Sequence, residues 1–235
     1  VGQTCQITLD GISAKDANNQ TIEPIKIDSN KLKEALEEYK VGSILNVGAH
    51  TFSLQDWEVV IDAVYSPYVN GKTKVPIIYG IDAIHGVTYT AASTLFPQEI
   101  GLAATWNPDL AYQFGRVTAY ETRASGLHWN FSPVLDLGRS PLWSRHFETL
   151  GEDPYLVATM GSAISRGYQG DSIGSYGVAA CLKHFVGYSA PLSGRDRTPA
   201  WIPQKYMSEL YLPPFKKAVE QGALTLMINS GVLNG

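Results

Sequence analysis

Cysteine is nearly absent from this chain: Cys5 and Cys181 are the only two among 235 residues. Their separation makes neither a metal-binding pair nor a required disulfide, so the redox compartment stays open. A basic excess is lacking as well. The 18 lysines and arginines are outnumbered by 22 aspartates and glutamates, giving a formal charge of -4. Such a chain has no broad positive field, which argues against nucleic acid as a partner and leaves neutral ligands easy to accommodate. No run approaches the roughly 20 continuous apolar residues of a membrane span, so none is expected. The first residues, VGQTCQITLDG, have neither the basic nor the apolar region of a secretory leader, which leaves export undecided.

Several catalytic signatures are missing too. A phosphate loop would place clustered glycines between the first strand and a helix, but VGSILNVGAHTFS contains neither GxGxxG nor GxxxxGKS. The five histidines show no HExxH spacing, and Ser230 lies in NSGVLNG rather than in a GxSxG elbow. No metal, nucleotide or organic cofactor is therefore expected.

What is present is a substantial apolar content, 44% of residues with 11% aromatic, enough for one large domain. Two small domains remain an option by length alone, but no linker or internal repeat favours them. Short, nearly continuous apolar runs alternate with helical segments, the pattern of parallel strands covered by helices. Five strands are expected: GSILNVG near 42–48, VPIIYGI at 75–81, WNFSPVLDL at 129–137, VAACLKHF at 178–185 and ALTLMI at 223–228.

Helix starts are marked by Ser29 or Asn30, by Asn107-Pro108, by Asp153-Pro154 and by Pro203, with Pro213-Pro214 expected to end or kink the last one. The expected buried stripes are Leu32, Ala35, Leu36 and Tyr39; Leu110, Phe114 and Val117; Leu156, Met160, Ala163 and Ile164; and Phe215, Ala218 and Val219. The long connections at 82–106 and 138–152 read as functional loops.

Three polar clusters end apolar strands, where an α/β barrel exposes its chemistry. In YGIDAIHG, Asp82 can accept from ligand hydroxyls, and Gly80 and Gly86 let the backbone turn near a ligand. The bland alternatives are a loop-capping Asp82 and a His85 that satisfies a backbone carbonyl. In FSPVLDLGRSPLWSRHFETLGEDP, one guanidinium could reach ligand oxygens while the other charges brace the loop, and the residues alone do not choose between Arg139 and Arg145. In KHFVGY, Lys183 can donate to ring hydroxyls and neutral His184 can donate and accept. The bland alternative there is a lysine paired with a scaffold carboxylate.

With YGIDAIHG, TLFPQEIGLAAT, FSPVLDLGRSPLWSRHFETLGEDP, KHFVGYS and INSGVLNG in this order over residues 79–235, the chain resembles glycoside hydrolase family 3. The likeness is strongest to its β-glucosidase and glucan exohydrolase members. The resemblance implies a (β/α)8 TIM-barrel-like domain. Five strands fall short of eight, so residues 1–235 are expected to form a partial barrel, incomplete at the C-terminus and open to extension at the N-terminus.

The resemblance also implies that Asp82, Arg145, Lys183 and His184 hold the nonreducing terminal sugar, with Met227 lining the subsite. Ser230 stands where some relatives have tyrosine, and Trp143 is a weaker candidate for packing or a platform. Retaining hydrolysis of terminal β-D-glucosyl residues needs two carboxyl groups about 5–5.5 Å apart. Relatives place the nucleophile in a downstream SDW-like motif and the acid/base in a later domain. Neither role therefore falls to Asp136, Glu148 or Glu152, and no catalytic residue is expected within this chain.

The expected partners are a β-glucoside or β-glucan oligosaccharide and the C-terminal remainder of the same enzyme, in a periplasmic or secreted setting. β-Xylosidase and β-N-acetylhexosaminidase are alternatives on the same barrel. KHFVGYS departs from the KHFPGHG of many hexosaminidases, which favours the glucosidase. A noncatalytic carbohydrate-binding remnant is the alternative of a different class.

Overall fold

The computed structural model describes residues 1–48 and 50–235. Six strands, β1 (Gln6–Thr8), β2 (Ser43–Leu45), β3 (Ile78–Ile81), β4 (Trp129–Asn130), β5 (Ala179–Phe185) and β6 (Thr225–Ile228), form one parallel sheet in chain order. The registers Ser43↔Ile78, Gly80↔Trp129, Trp129↔Ala179 and Cys181↔Thr225 align the strands so that their C-terminal ends share one rim. The sheet curves as an open half-barrel, with β1 and β6 as its edges. The α/β class and the parallel sheet agree with the sequence expectation.

β1 is a sixth strand beyond the five expected. Three residues are too few to show a period, and both ends of QIT are exposed. β4 is only two residues long, much shorter than the expected 129–137. Beyond Asn130 the chain leaves the ladder with β3, and Val134 re-joins as a single parallel bridge to Lys183.

Helices fill the crossovers: α1 (Ser29–Lys33), α2 (Leu54–Val69), α3 (Glu99–Ala103), α4 (Pro108–Ala124), α5 (Pro154–Gln169), α6 (Gln204–Tyr206) and α7 (Leu212–Glu220). Asn107 and Asp153 cap α4 and α5 as expected, Asn107 accepting from the Asp109 and Leu110 amides and Asp153 from the Leu156 amide, each with a proline in the first turn. α1 is capped one residue earlier than expected, by Asp28, whose carboxylate accepts from Asn30 and Lys31. A π-helical stretch at Met207–Tyr211 separates α6 from α7, next to the Pro213-Pro214 interruption.

α2 stands outside the helices expected from sequence, although Ser53 and Asp56 form a reciprocal capping box ahead of the buried Trp57, Val60 and Val64. Its Pro67 cannot donate to Ala63, and the Ser66 hydroxyl takes that carbonyl instead at 3.0 Å.

The buried stripe of α4 differs from expectation. Leu110 and Val117 are exposed, while Ala111, Phe114, Gly115, Thr118 and Ala119 face inward. The cause is the close approach of α5: a methyl group on Gly115 would lie 2.6 Å from the Ile164 carbonyl and 2.9 Å from Gly167 Cα. Small residues let the two backbones meet, so the packing face follows residue size rather than hydrophobicity. Tyr39 and Val219 are likewise exposed.

Apolar side chains gather in two clusters. One joins α4, α5 and α7 to β5 through Phe114, Met160, Ile164, Leu182 and Phe215. The other joins β1–β3 to α1 and α2 through Leu9, Leu36, Ile44, Trp57 and Ile81. Together they hold the sheet rigid from behind and leave polar residues to its C-terminal rim.

Candidate functional site

Asp82 immediately follows β3 and is the hub of the rim. Its Oδ1 accepts from Lys183 Nζ at 2.5 Å and its Oδ2 from Asn46 Nδ2 at 2.8 Å. Asn46 returns the bond, with Oδ1 accepting from the Asp82 amide at 2.9 Å. Burial alone would raise the Asp82 pKa. The Lys183 charge and hydrogen bond, the Asn46 bond and the Arg145 charge outweigh it and hold the carboxyl below its usual 3.8. It is therefore a carboxylate with lone pairs to spare.

Lys183 and His184 close the buried β5, with 1% and 7% of their surfaces exposed. The Lys183–His184 peptide bond is cis. Lys183 reaches Asp82, whereas His184 turns to Asp136, whose Oδ2 accepts from the His184 amide at 3.0 Å and lies 2.7 Å from ring Nδ1. A carboxylate at Nδ1 selects the tautomer with its proton there, which leaves Nε2 as an acceptor. The bland alternative for Lys183, a paired carboxylate, is thus present. The partner is Asp82, itself a predicted site residue.

Arg145 sits in the 138–152 loop and makes a two-pronged contact with Glu148, Nε to Oε1 at 2.7 Å and Nη2 to Oε2 at 2.6 Å. Its guanidinium also lies 5.5 Å from the centre of the Tyr188 ring. Burial would lower its pKa, but Glu148 and then Tyr188 raise it above the usual value. The Glu148 contact uses two of its donor directions.

Met227 is half-buried on β6. Ser230 is exposed, with its Oγ 3.4 Å from the Arg197 guanidinium that donates to it. Trp143 is buried and donates to Asp196 at 3.0 Å while packing edge-on against Tyr188, which is a packing role rather than an open platform.

Other predicted candidates turn to scaffold tasks. His85 Nδ1 lies 3.0 Å from the Phe96 carbonyl, the bland alternative named above. Gly80 has no positive φ; a methyl group there would meet the Phe131 ring at 2.6 Å, so it makes room for an aromatic side chain rather than for a ligand. Gly86 does have a positive φ, at 96°. Arg139 is exposed, and Asp153 is spent on the α5 cap. Among the described residues no three His, Cys, Asp or Glu side chains gather as a metal site.

The rim thus brings Asp82, Lys183 and Asn46 into one hydrogen-bonded group. Asp136 holds His184 beside it, and the Arg145 charge acts on Asp82. Asn46 was missed by sequence reasoning. Its signal was a polar residue directly after the apolar run SIL, and the structure gives it a positive φ of 48°.

Comparison with known proteins is decisive for the family. Residues 9–233 match the Glycosyl hydrolase family 3 N terminal domain. The chain belongs to this family. Family 3 relatives include the "Lysosomal beta glucosidase" of Dictyostelium discoideum, 38% identical over 100% of this chain and 30% of its own length. A "Beta-xylosidase" of Formosa agariphila is 34% identical over 66% of this chain and 22% of its own length. Among solved structures, the β-glucosidase of Listeria innocua in complex with glucose superposes with a TM-score of 0.80 at 28% identity, covering 99% of this chain and 31% of that one. The chain therefore spans about a third or less of the length of these family 3 proteins.

Proposed function

We propose that this chain supplies the terminal-sugar-binding wall of a β-glucosidase that hydrolyses nonreducing β-D-glucosyl residues with retention. The observation that carries the reading is the Asp82–Lys183–Asn46 group with His184 beside it at the strand ends. An uncharged pyranose is gripped chiefly through its hydroxyls, and each must exchange water for a well-placed donor or acceptor. Asp82 supplies acceptors, Lys183 and Arg145 supply donors, and His184 Nε2 supplies an acceptor. Inverting one hydroxyl loses partners on several of them at once, which is how such a wall reads stereochemistry. Met227 offers the apolar contact beside them.

The catalytic carboxylates belong, in this reading, to the remainder of the protein, as does the completion of an eight-stranded barrel. Support comes from the carboxylates near the rim, which are already committed: Asp136 to His184, Glu148 to Arg145 and Asp82 to Lys183. The full-length partner region would bring nucleophile and acid to either face of the glycosidic bond.

A β-xylosidase is the second reading, favoured by the Formosa agariphila relative. Steady-state hydrolysis by the full-length protein of matched nitrophenyl β-glucoside, β-xyloside and N-acetyl-β-glucosaminide separates the cases. The glucoside is expected to give the highest kcat/KM. Preference for the xyloside transfers the assignment to the second reading, and sugar binding without turnover of any of the three leaves only a noncatalytic carbohydrate-binding role.

A further inference from the structure

α3 begins with a side chain that the sugar wall does not use. Glu99 is wholly buried, yet among the described residues its carboxyl meets no cation at ion-pair distance. Its Oε1 accepts from Ser132 Oγ at 3.0 Å, and its two oxygens lie 3.3 and 3.1 Å from the Val134 amide, which donates to them. Ser132 Oγ is in turn 2.9 Å from the Tyr168 hydroxyl on α5. Burying a carboxyl is costly unless its partners are well placed, so this arrangement fixes the backbone at Ser132–Val134 firmly.

That backbone carries the rim. Cys181 N donates to Ser132 O at 3.1 Å, Lys183 N to Pro133 O at 3.2 Å, and Leu135 N to Lys183 O at 2.7 Å. One residue further along is Asp136, which holds His184 by amide and ring. The register of this stretch against β5 therefore sets where Lys183 and His184 point. Glu99 on α3 grips it from the helical layer, together with Tyr168 on α5.

We infer that Glu99 is a positioning residue for Lys183 and His184, acting through residues 132–136 without touching substrate. The inference rests on the proposed sugar-binding role of the rim. The groups facing Glu99 are Lys183 on β5, Glu148 in the turn after Arg145, Tyr168 on α5 and the Ser132 hydroxyl. Burial pushes the Glu99 carboxyl up to about 8, against smaller opposing effects of Ser132, Val134 and Lys183. At neutral pH it is thus a neutral acid, and its ionisation under alkaline conditions sets a second carboxylate competing with Asp82 for the Lys183 charge.

The test uses the full-length protein with Glu99→Leu and Glu99→Gln, measuring nitrophenyl glucoside kinetics from pH 5 to 9 together with a crystal structure of each variant. Glu99→Leu is expected to lower kcat/KM at least about tenfold, mostly through KM, with the Asp136–His184 ring contact opened in the crystal. Glu99→Gln mimics the neutral acid. It is expected to recover most of that loss and to move the alkaline limb of the profile above its position in the parent. Parent-like KM and pH profile in both variants, with the Asp136–His184 contact intact, overturn the inference. If the parent hydrolyses no glucoside, the sugar reading fails on its own. The crystal structures then decide the positioning claim, with an opened contact supporting it and an intact one ending it.

Discussion

Asp82 and Glu99 are two carboxyl groups of one rim region, and burial acts on both in the same direction. Asp82 nevertheless ends below its ordinary pKa, while Glu99 ends at about 8. Asp82 has Lys183 Nζ and Asn46 Nδ2 in direct contact, whereas Glu99 has a hydroxyl, one amide and the more distant charge of Lys183. At Asp82 a cation in contact outweighs burial, whereas the more deeply buried Glu99 has no such contact to offset it. The rim thereby carries an anion at Asp82 and a neutral acid at Glu99 beneath it.

Removing the cation breaks this contrast most severely. Lys183→Met should leave Asp82 without its ion partner, costing on the order of 3 kcal/mol of stability. The same change is expected to lower kcat/KM about 100-fold or more, since a charge-assisted donor and the placement of Asp82 are lost together. Melting temperature and glucoside kinetics of the full-length protein read both, and a near-parental variant would show that the pair is incidental.

The next largest effect belongs to Glu99. Its folded-state pKa of about 8 lies above the ordinary 4.5. Between those values the folded protein holds a proton that the unfolded chain has released, so stability falls as pH rises through this window. Glu99→Gln should flatten that fall, which runs at about 1.4 kcal/mol per pH unit inside the window. Denaturant unfolding of parent and variant at pH 5 and pH 8 measures it, and identical slopes would contradict the raised pKa.

Arg145→Lys is expected to do less. It keeps the charge but replaces the fork that grips Glu148, so KM should rise about tenfold with kcat less affected. Smallest is the acid arm. A carboxyl held below its ordinary value contributes stability that is present above pH 3.8 and lost as pH falls through the folded-state value. Asp82→Asn removes that contribution and should make unfolding less dependent on pH below about 4. An unchanged acid transition would mean that the Lys183 contact does not hold the charge.

How much of this was legible depended on the length scale of the signal. The buried strand β5 announces itself by apolar residues interrupted only by Lys183 and His184, and that interruption is what marked the candidate site. Asp82 was legible for the same reason, as a charge at the end of β3. β1 was not, because three residues carry no period. The face of α4 was misjudged because Leu110 and Val117 are apolar, whereas the contact with α5 selects the small Gly115.

Partner identities were the least legible. That Asp136 serves His184 and that Asn46 serves Asp82 depends on chain segments 48 and 36 residues apart meeting at the rim, whereas Glu148 lies only three residues from Arg145. Glu99 lay within a family-like motif, but its neighbours Ser132, Val134 and Tyr168 come from other elements, and only folding brings them together.

The central claim is that the Asp82 carboxylate grips hydroxyls of a terminal sugar. The most direct measurement is kcat/KM of the full-length protein and its Asp82→Ala variant on glucoside and on each monodeoxy glucoside. At one or more ring positions the deoxy penalty of the parent is expected to shrink by about 1.5 kcal/mol or more in the variant, because the hydroxyl no longer has its acceptor. Deoxy penalties that stay the same in both proteins at every position would contradict the claim and remove Asp82 from the sugar wall.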